Sequence, residues 1–323
     1  MSHRTRSRGA LGLAVLALTF LATACPPSTT PNTGICTQAP GPGVDWHLCD
    51  FTGKDLRGGD LSYANLTFTN LTGANLSGVN LTGADLTGAK LNSTDLSSAN
   101  LHGAVLVATL FGGTNVTGTD LSGTNLLGAS SSGVIGSPLA GGPKVVSGYL
   151  VAPGINLTQA AIAGVDLSGL DLSGVNFNMA NLTGANLSGV NLTYAALNGT
   201  NVTNTNLAGA TLYRVQGAAL VGTPSTLPAG WSIRGGGRYL VGPTANLAGA
   251  ALGGVDLSGL DLTDVLFIGT NLATSDLTNA NLTNANLTTA NLNLATITGA
   301  DLTGVVWNDT ICPTGITQST PCA

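Results

Sequence analysis

The sequence predicts an all-β solenoid, a tube in which short extended segments stack coil upon coil. An aliphatic residue, most often leucine, recurs at every fifth position over most of the chain, for example at Leu56, Leu61 and Leu66. An α-helix repeats its apolar stripe every 3.6 residues and a strand every second residue, so this period fits neither. Charged residues make up 8% and apolar residues 43% of the 323 residues, and this balance argues against disorder.

The five-residue units fall into three blocks. Their central residues lie at positions 46 to 126, 157 to 212 and 247 to 307, and 32 of these 42 centres are leucine. The residue two positions before a centre is small or aliphatic with few exceptions, and in an extended segment it points to the same side as the centre. The flanking Asn, Asp, Thr and Ser then face outward, and a glycine often follows where the backbone must bend. No unit can bury its leucine alone, so stability requires stacked neighbours.

The unit Ala-(Asn/Asp)-Leu-(Ser/Thr)-Gly, as in residues 74–78, resembles the repeat of the pentapeptide-repeat family. The resemblance implies a right-handed quadrilateral β-helix with four units per coil. The 42 units would then form about ten coils, a rod of roughly 50 Å at ~4.8 Å per coil. Two short hairpin inserts and disulfide-closed ends complete the predicted fold class.

Residues 1–24 are predicted to form an export signal. Three arginines occur among the first eight residues, a short apolar run occupies 11–21, and small residues at 22–24 resemble a cleavage site. The apolar run is too short to span a bilayer. Cys25 follows directly, as in a bacterial lipoprotein, which predicts lipidation there; ordinary cleavage that leaves Cys25 free is the alternative. Either way we expect export, to the cell envelope or the extracellular space.

The cysteine count supports this interpretation. Five cysteines are an odd number for an exported protein. Setting Cys25 aside leaves Cys36, Cys49, Cys312 and Cys322, which allow three connectivities. In a rod the two close pairs lie at opposite ends, so only Cys36 with Cys49 and Cys312 with Cys322 could join. Each bridge would stabilise the fold by roughly 3 kcal/mol in the chain-entropy model.

The chain also contains a duplicated module of an insert followed by a coil block. The motif at Tyr149-Leu150-Val151 recurs ninety residues later as Tyr-Leu-Val at 239–241, and Ser147-Gly148 predicts a tight hairpin turn. The predicted division of the chain is 1–24 signal, 25–35 tether, 36–126 N-terminal cap and coil block 1, 127–154 insert 1, 155–212 coil block 2, 213–244 insert 2, 245–307 coil block 3, and 308–323 C-terminal cap.

No arrangement of residues predicts catalysis. Of the 15 aspartates, 13 stand directly before a centre, where asparagine stands elsewhere, so we expect Asp and Asn to share one outward structural position. His47 and His102 fall just after centres, and no metal-ligand or phosphate-binding motif is present. The sequence therefore predicts a non-enzyme with no catalytic, cofactor-binding or metal-binding residues and no cofactor.

Four aromatic residues in or beside the inserts are candidate contact residues, since aromatic side chains are enriched at interaction hot spots. They are Trp231, Tyr239, Tyr149 and Tyr213. The alternative is that they only cover the joints between coil blocks and inserts.

The leading functional hypothesis is a non-catalytic exported structural or interaction protein with a protein or cell-envelope partner. Membrane contact is expected only through the lipid anchor. Without the signal, 7 basic and 15 acidic residues leave a net charge of −8, which argues against nucleic-acid binding. One alternative is a DNA mimic that engages gyrase, as some family members do. Another is a glycan- or ice-binding face, suggested by Thr263, Thr283 and Thr303 at twenty-residue spacing.

Overall fold

The computed structural model describes residues 36–322, and the predicted export signal, tether and lipidation site at Cys25 lie outside them. Parallel bridges join residues twenty positions apart, as in Asp45 to Asn65 and Asn65 to Asp85. Four five-residue units therefore complete one coil. The protein is the predicted right-handed quadrilateral β-helix, and its described part contains no helix that could cross a bilayer.

Each unit ends in a tight turn that makes one corner of the coil. The carbonyl of a centre accepts a hydrogen bond from the amide three residues on, as from Ala64 to Leu61 at 3.1 Å. The residue two after the centre, here called the bend position, has a positive φ, as in a type II turn. Gly73 adopts φ 66° without steric cost, and the bulkier Tyr63 adopts φ 57°. The predicted role of glycine at the bend is thus confirmed.

Backbone hydrogen bonds join each coil to the next. The amide of Leu61 donates to the carbonyl of Asn80 at 2.7 Å, and the amide of Asn80 donates back to Gly59 at 3.0 Å. The bend residue Gly58 adds a third bond, to Ser77 at 3.0 Å. Because these bonds use only main-chain groups, they tolerate almost any side chain that fits its position.

The interior is a dry column of leucines and small residues. Leu66, Leu76 and Leu86 are fully buried, and the alanines two positions before the centres are buried with them. Among the described residues, nine buried threonines at interior positions donate their hydroxyl to the carbonyl of a centre in the preceding coil, as from Thr94 to Leu71 at 2.7 Å. These nine threonines are Thr69, Thr94, Thr109, Thr114, Thr119, Thr200, Thr205, Thr270 and Thr310.

Where the structure describes the chain, three short antiparallel hairpins lie beside the coils. In the first, the predicted tight turn at Ser147-Gly148 is present, and both residues have positive φ, as in a type I′ turn. The third hairpin, at the C-terminal cap, was not predicted. The strands pair as β1 (Lys144–Val146) with β2 (Tyr149–Val151), β3 (Ser232–Arg234) with β4 (Tyr239–Val241), and β5 (Thr310–Ile311) with β6 (Thr317–Gln318).

The ladder extends past the predicted ends of the first two blocks. Bridges still join Asn115 to Ile135 and Asn206 to Thr226, so the boundaries at 126 and 212 are too early. Residues such as Ile135 depart from the Asn/Asp pattern of their position, but the coil continues because the ladder requires only backbone. The amide of the residue directly before a centre normally donates to a carbonyl 21 residues earlier, as from Asn65 to Val44. This separation is 27 residues at Asn156 and 31 residues at Asn246. The inserts thus lengthen one coil each by six and ten residues.

Two arginines stabilise the junction between coil blocks 2 and 3, at the second insert. The guanidinium of Arg238 donates to the carbonyls of Leu220, at 2.6 Å, and of Gly222. Arg214 reaches from block 2 to the carbonyl of Asp264 in block 3. The buried core divides into two clusters here, and Trp231 packs against both. The junction is therefore held by side chains where the continuous leucine column is interrupted.

Disulfides close both ends, with the predicted pairing. Cys36 bonds Cys49, and Cys312 bonds Cys322. Cys49 occupies an interior position beside Trp46 and is 1% exposed. Each bridge ties a non-repeat segment to a terminal coil, so the outermost backbone edges, which would otherwise invite pairing with another chain, are held in a closed cap.

Replacing Leu86 by alanine should lower the free energy of unfolding by about 2–5 kcal/mol, because the narrow tube cannot refill the space. Leu294→Ala is the matched control: this bend residue is 68% exposed, and its loss should change stability by less than about 0.5 kcal/mol. Urea unfolding measures both. Equal effects of the two substitutions would show that the leucine column is not the core.

Candidate interaction surface

The outer position of each unit, directly before the centre, serves a structural role. Asn65 accepts the backbone amide of Thr67 on its side-chain oxygen at 3.2 Å, and Asp85 accepts that of Thr87 at 2.9 Å. Both residue types thus offer the same oxygen to the same turn amide. This geometry explains why Asp and Asn interchange, as the sequence predicted.

Side-chain bonds also run along the rod from coil to coil. The amide nitrogen of Asn80 donates to Asp60 at 3.0 Å, and that of Asn186 donates to Asp166 at 3.0 Å. Many polar groups of the flat faces are therefore bonded to one another and offer little chemistry to a ligand.

Several outer aspartates hold their carboxylates in the charged form. The Ser122 hydroxyl, at 2.6 Å, and then its backbone amide lower the pKa of Asp120 below the ordinary value. The Ser258 hydroxyl lowers the pKa of Asp256 in the same way. These shifts come from local turn bonds and not from a shared carboxylate pair, so they do not indicate an acid–base site.

The two histidines of residues 36–322, His47 and His102, lie on different coils and make separate hydrogen bonds. A ring nitrogen of His47 lies 2.8 Å from Asp45, and one of His102 lies 2.9 Å from Ser122. Within residues 36–322, no group of three His, Cys or Asp side chains could hold a metal ion.

Thr263, Thr283 and Thr303 lie in one column, since bridges join Asp261, Asn281 and Asp301 beside them. The hydroxyls of Thr263 and Thr283 donate to the side-chain oxygens of Asp261 and Asn281, each at 2.6 Å. Because these protons are already used, the column offers few free donors to ice or to a glycan.

Two of the four candidate contact residues complete the backbone ladder. Ala161 and Ala251 each stand directly before a centre in the first coil after an insert. At these positions the preceding part of the chain runs into the insert and supplies no backbone carbonyl as an acceptor. The hydroxyl oxygen of Tyr149 accepts the amide of Ala161 at 3.2 Å, and that of Tyr239 accepts the amide of Ala251 at 2.9 Å. Each tyrosine replaces the carbonyl that an uninterrupted coil would supply, a role that needs the tertiary structure to be seen.

The other two candidates differ in exposure. Trp231 is half-buried, and its ring lies so close to Gly242 that a Cβ there would come within 2.5 Å of it. Tyr213 is 39% exposed; its ring meets Tyr194 edge to face at 5.7 Å and carries the Arg214 guanidinium at 5.2 Å. The structure does not gather the four residues into one site.

Large apolar side chains at bend positions form a second exposed feature. Tyr63 and Phe68 are 71% and 60% exposed, and their rings lie over Gly83 and Gly88 of the next coil. Leu48, Met179 and Leu294 also occupy bend positions and are likewise exposed. The available signal was a large residue where most units have glycine.

The sequence profile of the family named Pentapeptide repeats matches the chain in eight copies. The matched ranges, which together cover more than half of the chain, are 49–88, 59–97, 99–130, 154–189, 185–216, 245–284 and 272–306. The fold and this match define a solenoid protein of stacked five-residue units. The chain belongs to the pentapeptide-repeat family.

Similar solved structures are also pentapeptide-repeat or drug-resistance proteins. HetL, a pentapeptide repeat protein involved in heterocyst differentiation regulation in Nostoc sp. strain PCC 7120, is 27% identical, with 85% of this chain and 92% of HetL covered and a TM-score of 0.28. QnrB1, a plasmid-mediated fluoroquinolone resistance protein, is 17% identical over 79% and 92%, with a TM-score of 0.24. A protein from the Arabidopsis thaliana thylakoid lumen is 21% identical over 48% and 69%, with a TM-score of 0.18. No curated protein matches the sequence.

Tyr149→Phe and Tyr239→Phe should each lower the free energy of unfolding by about 0.5–1.5 kcal/mol, because an amide at the edge of a block loses its acceptor. Hydrogen exchange should accelerate at Ala161 in the first variant and at Ala251 in the second. Tyr194→Phe, at an exposed bend, is the control and should leave both amides unchanged. Unaltered hydrogen exchange at these two amides in the test variants would contradict the hydrogen bonds assigned to the tyrosine hydroxyls.

Stability should fall in acid. A carboxyl whose pKa is lower in the folded protein contributes stability above its unfolded value, here 3.8, and loses it as the pH falls through the folded value. The double variant Asp120→Asn, Asp256→Asn keeps the turn-binding oxygen but cannot titrate. Its Tm at pH 7 should resemble that of the parent, and its loss of Tm between pH 5 and pH 2 should be smaller. If Tm fell equally with pH in the parent and the double variant, the two carboxylates would not contribute to the acid sensitivity of the fold.

Proposed function

We propose that the protein is a non-catalytic exported interaction scaffold, tethered through a lipid on Cys25. The observation that carries the proposal is the pair of disulfides, Cys36–Cys49 and Cys312–Cys322, one at each end of the rod. Disulfides form and persist in oxidising compartments and are rare in the cytosol. Four of the five cysteines are thereby used, and the remaining one is the cysteine that follows the predicted cleavage site.

The architecture suits a scaffold. The flat faces satisfy many of their own hydrogen bonds, and the core is continuous within each block, so the rod can hold exposed groups at set distances from the tether. Residues 25–35 number eleven, and a fully extended segment of that length reaches at most about 40 Å. A lipid on Cys25 would keep the Cys36 end of the rod near the membrane.

A DNA-mimic function receives less support. The column of outer positions that begins at Asp45 continues with Asn65, Asp85, Val105 and Asn125. Neutral residues interrupt the acidic ones, so the face lacks the dense line of charge that a DNA backbone presents.

Radiolabelled palmitate and cell fractionation test the tether in bacteria that express the full chain. We expect labelled protein in the envelope fraction, and we expect Cys25→Ser to remove the label while the disulfides still form. Recovery of the Cys25→Ser protein in the supernatant or the periplasm, and not in the envelope fraction, would support export with a lipid anchor. Reduced, unlabelled protein that remains in the cytoplasm would overturn the proposal.

A further inference from the structure

Two clefts beside the inserts share one architecture. The first has a volume of about 460 Å³ and includes Tyr149 of β2; the second has about 240 Å³ and includes Tyr239 of β4. Their linings share three corresponding elements, the tyrosine and two coil segments. The corresponding segments are 130–132 with 216–218 and 156–159 with 246–249.

The duplicated clefts present amide donors. The side-chain oxygen of Asn156 accepts the amide of Thr158 at 3.0 Å, and that of Asn246 accepts the amide of Ala248 at 3.2 Å. Each asparagine therefore retains its two N–H hydrogens as the groups it can offer to a ligand.

A second asparagine lines each cleft, although at a non-equivalent place: Asn198 lies one coil before 216–218, and Asn92 lies two coils before 130–132. The oxygen of Asn92 accepts the amide of Gly112, and the oxygen of Asn198 accepts the amide of Ala218, each at 3.0 Å. Both clefts thus combine two carboxamide donors with a half-buried tyrosine. Because the tyrosine oxygen accepts an alanine amide, its own O–H proton remains available to donate.

Charge is missing from both linings. Neither includes an aspartate, lysine or arginine, although the chain carries 15 aspartates. A cleft with several N–H and O–H donors, an aromatic ring and no charge suits a neutral ligand that is rich in acceptor oxygens. Ions, nucleic acids and charged peptides would find no partner of opposite charge.

We propose that the two clefts are paired subsites for one neutral saccharide chain. Bridges from Ser130 through Asn156, Asn176 and Ala196 to Gln216 place the clefts four coil steps apart, or ~19 Å at ~4.8 Å per step. Both lie beside the same face, so an extended oligosaccharide along the rod axis can occupy both. Linked occupancy raises the affinity for long chains over short ones. This inference rests on the proposed function, since exported proteins meet envelope glycans.

The asparagines allow a conservative test. Asn156→Asp and Asn246→Asp keep the oxygen that binds the turn amide and replace the N–H₂ donor by a carboxylate oxygen. Aspartate already stands in this position in 13 units, so the fold should tolerate both changes. Asn75→Asp makes the same change on a different face of block 1 and is the matched control.

Calorimetry of the full chain should use linear neutral oligomers of glucose and of N-acetylglucosamine, from two to eight sugars long. We expect one series to bind, with the longest oligomers at least about tenfold tighter than the shortest. The double variant should lose about tenfold or more for long oligomers, and Asn75→Asp should bind as the parent does. Absence of binding by both series, or equal losses in the double variant and the control, would overturn the saccharide proposal. Palmitate labelling and fractionation report separately on export and tethering, so failure of the clefts is distinguishable from failure of the tether.

Discussion

The parallel backbone ladder between successive coils is the constraint on which the rest of the structure depends. Each extended segment is too short to stand alone, and the amides at its centre and directly before the centre find their acceptors in the coils after and before it. Once that stacking is in place, the interior must be filled by a residue at every fifth position. The leucine column and the buried threonine hydroxyls satisfy this requirement, and units that lack the usual Asn or Asp, such as that at Ile135, remain in the ladder because their backbone still pairs.

Interruptions of the ladder create the main structural problem of this fold. At each insert the chain leaves the stack and exposes edge amides. Tyr149 and Tyr239 supply acceptors at equivalent places, and Arg238 supplies donors to carbonyls at the second junction. At the two ends of the rod, the disulfides protect the exposed backbone edges by holding non-repeat segments against the terminal coils. Specialised residues therefore concentrate where repetition stops.

The same distribution explains where recognition can occur. On the flat faces, Asn, Asp, Ser and Thr bond to local turns and to one another along the rod, which leaves a uniform surface. At the inserts the pattern breaks, and clefts form whose walls carry carboxamide groups and a tyrosine hydroxyl. A scaffold of this kind can separate rigidity, which the repeats supply, from binding, which the interruptions supply.

The five-residue period by itself determined the coil, the inward column and the outward Asn/Asp position, because these follow from local alternation and bending. Cysteine spacing along a rod determined the disulfide pairing, and Ser147-Gly148 determined the first hairpin turn. The tertiary structure alone decided how far the coils extend past positions 126 and 212 and which tyrosines replace missing carbonyls. It also decided that the candidate contact residues are dispersed. These features depend on contacts between backbone groups that are twenty or more residues apart in the sequence, and a local sequence pattern does not specify such contacts.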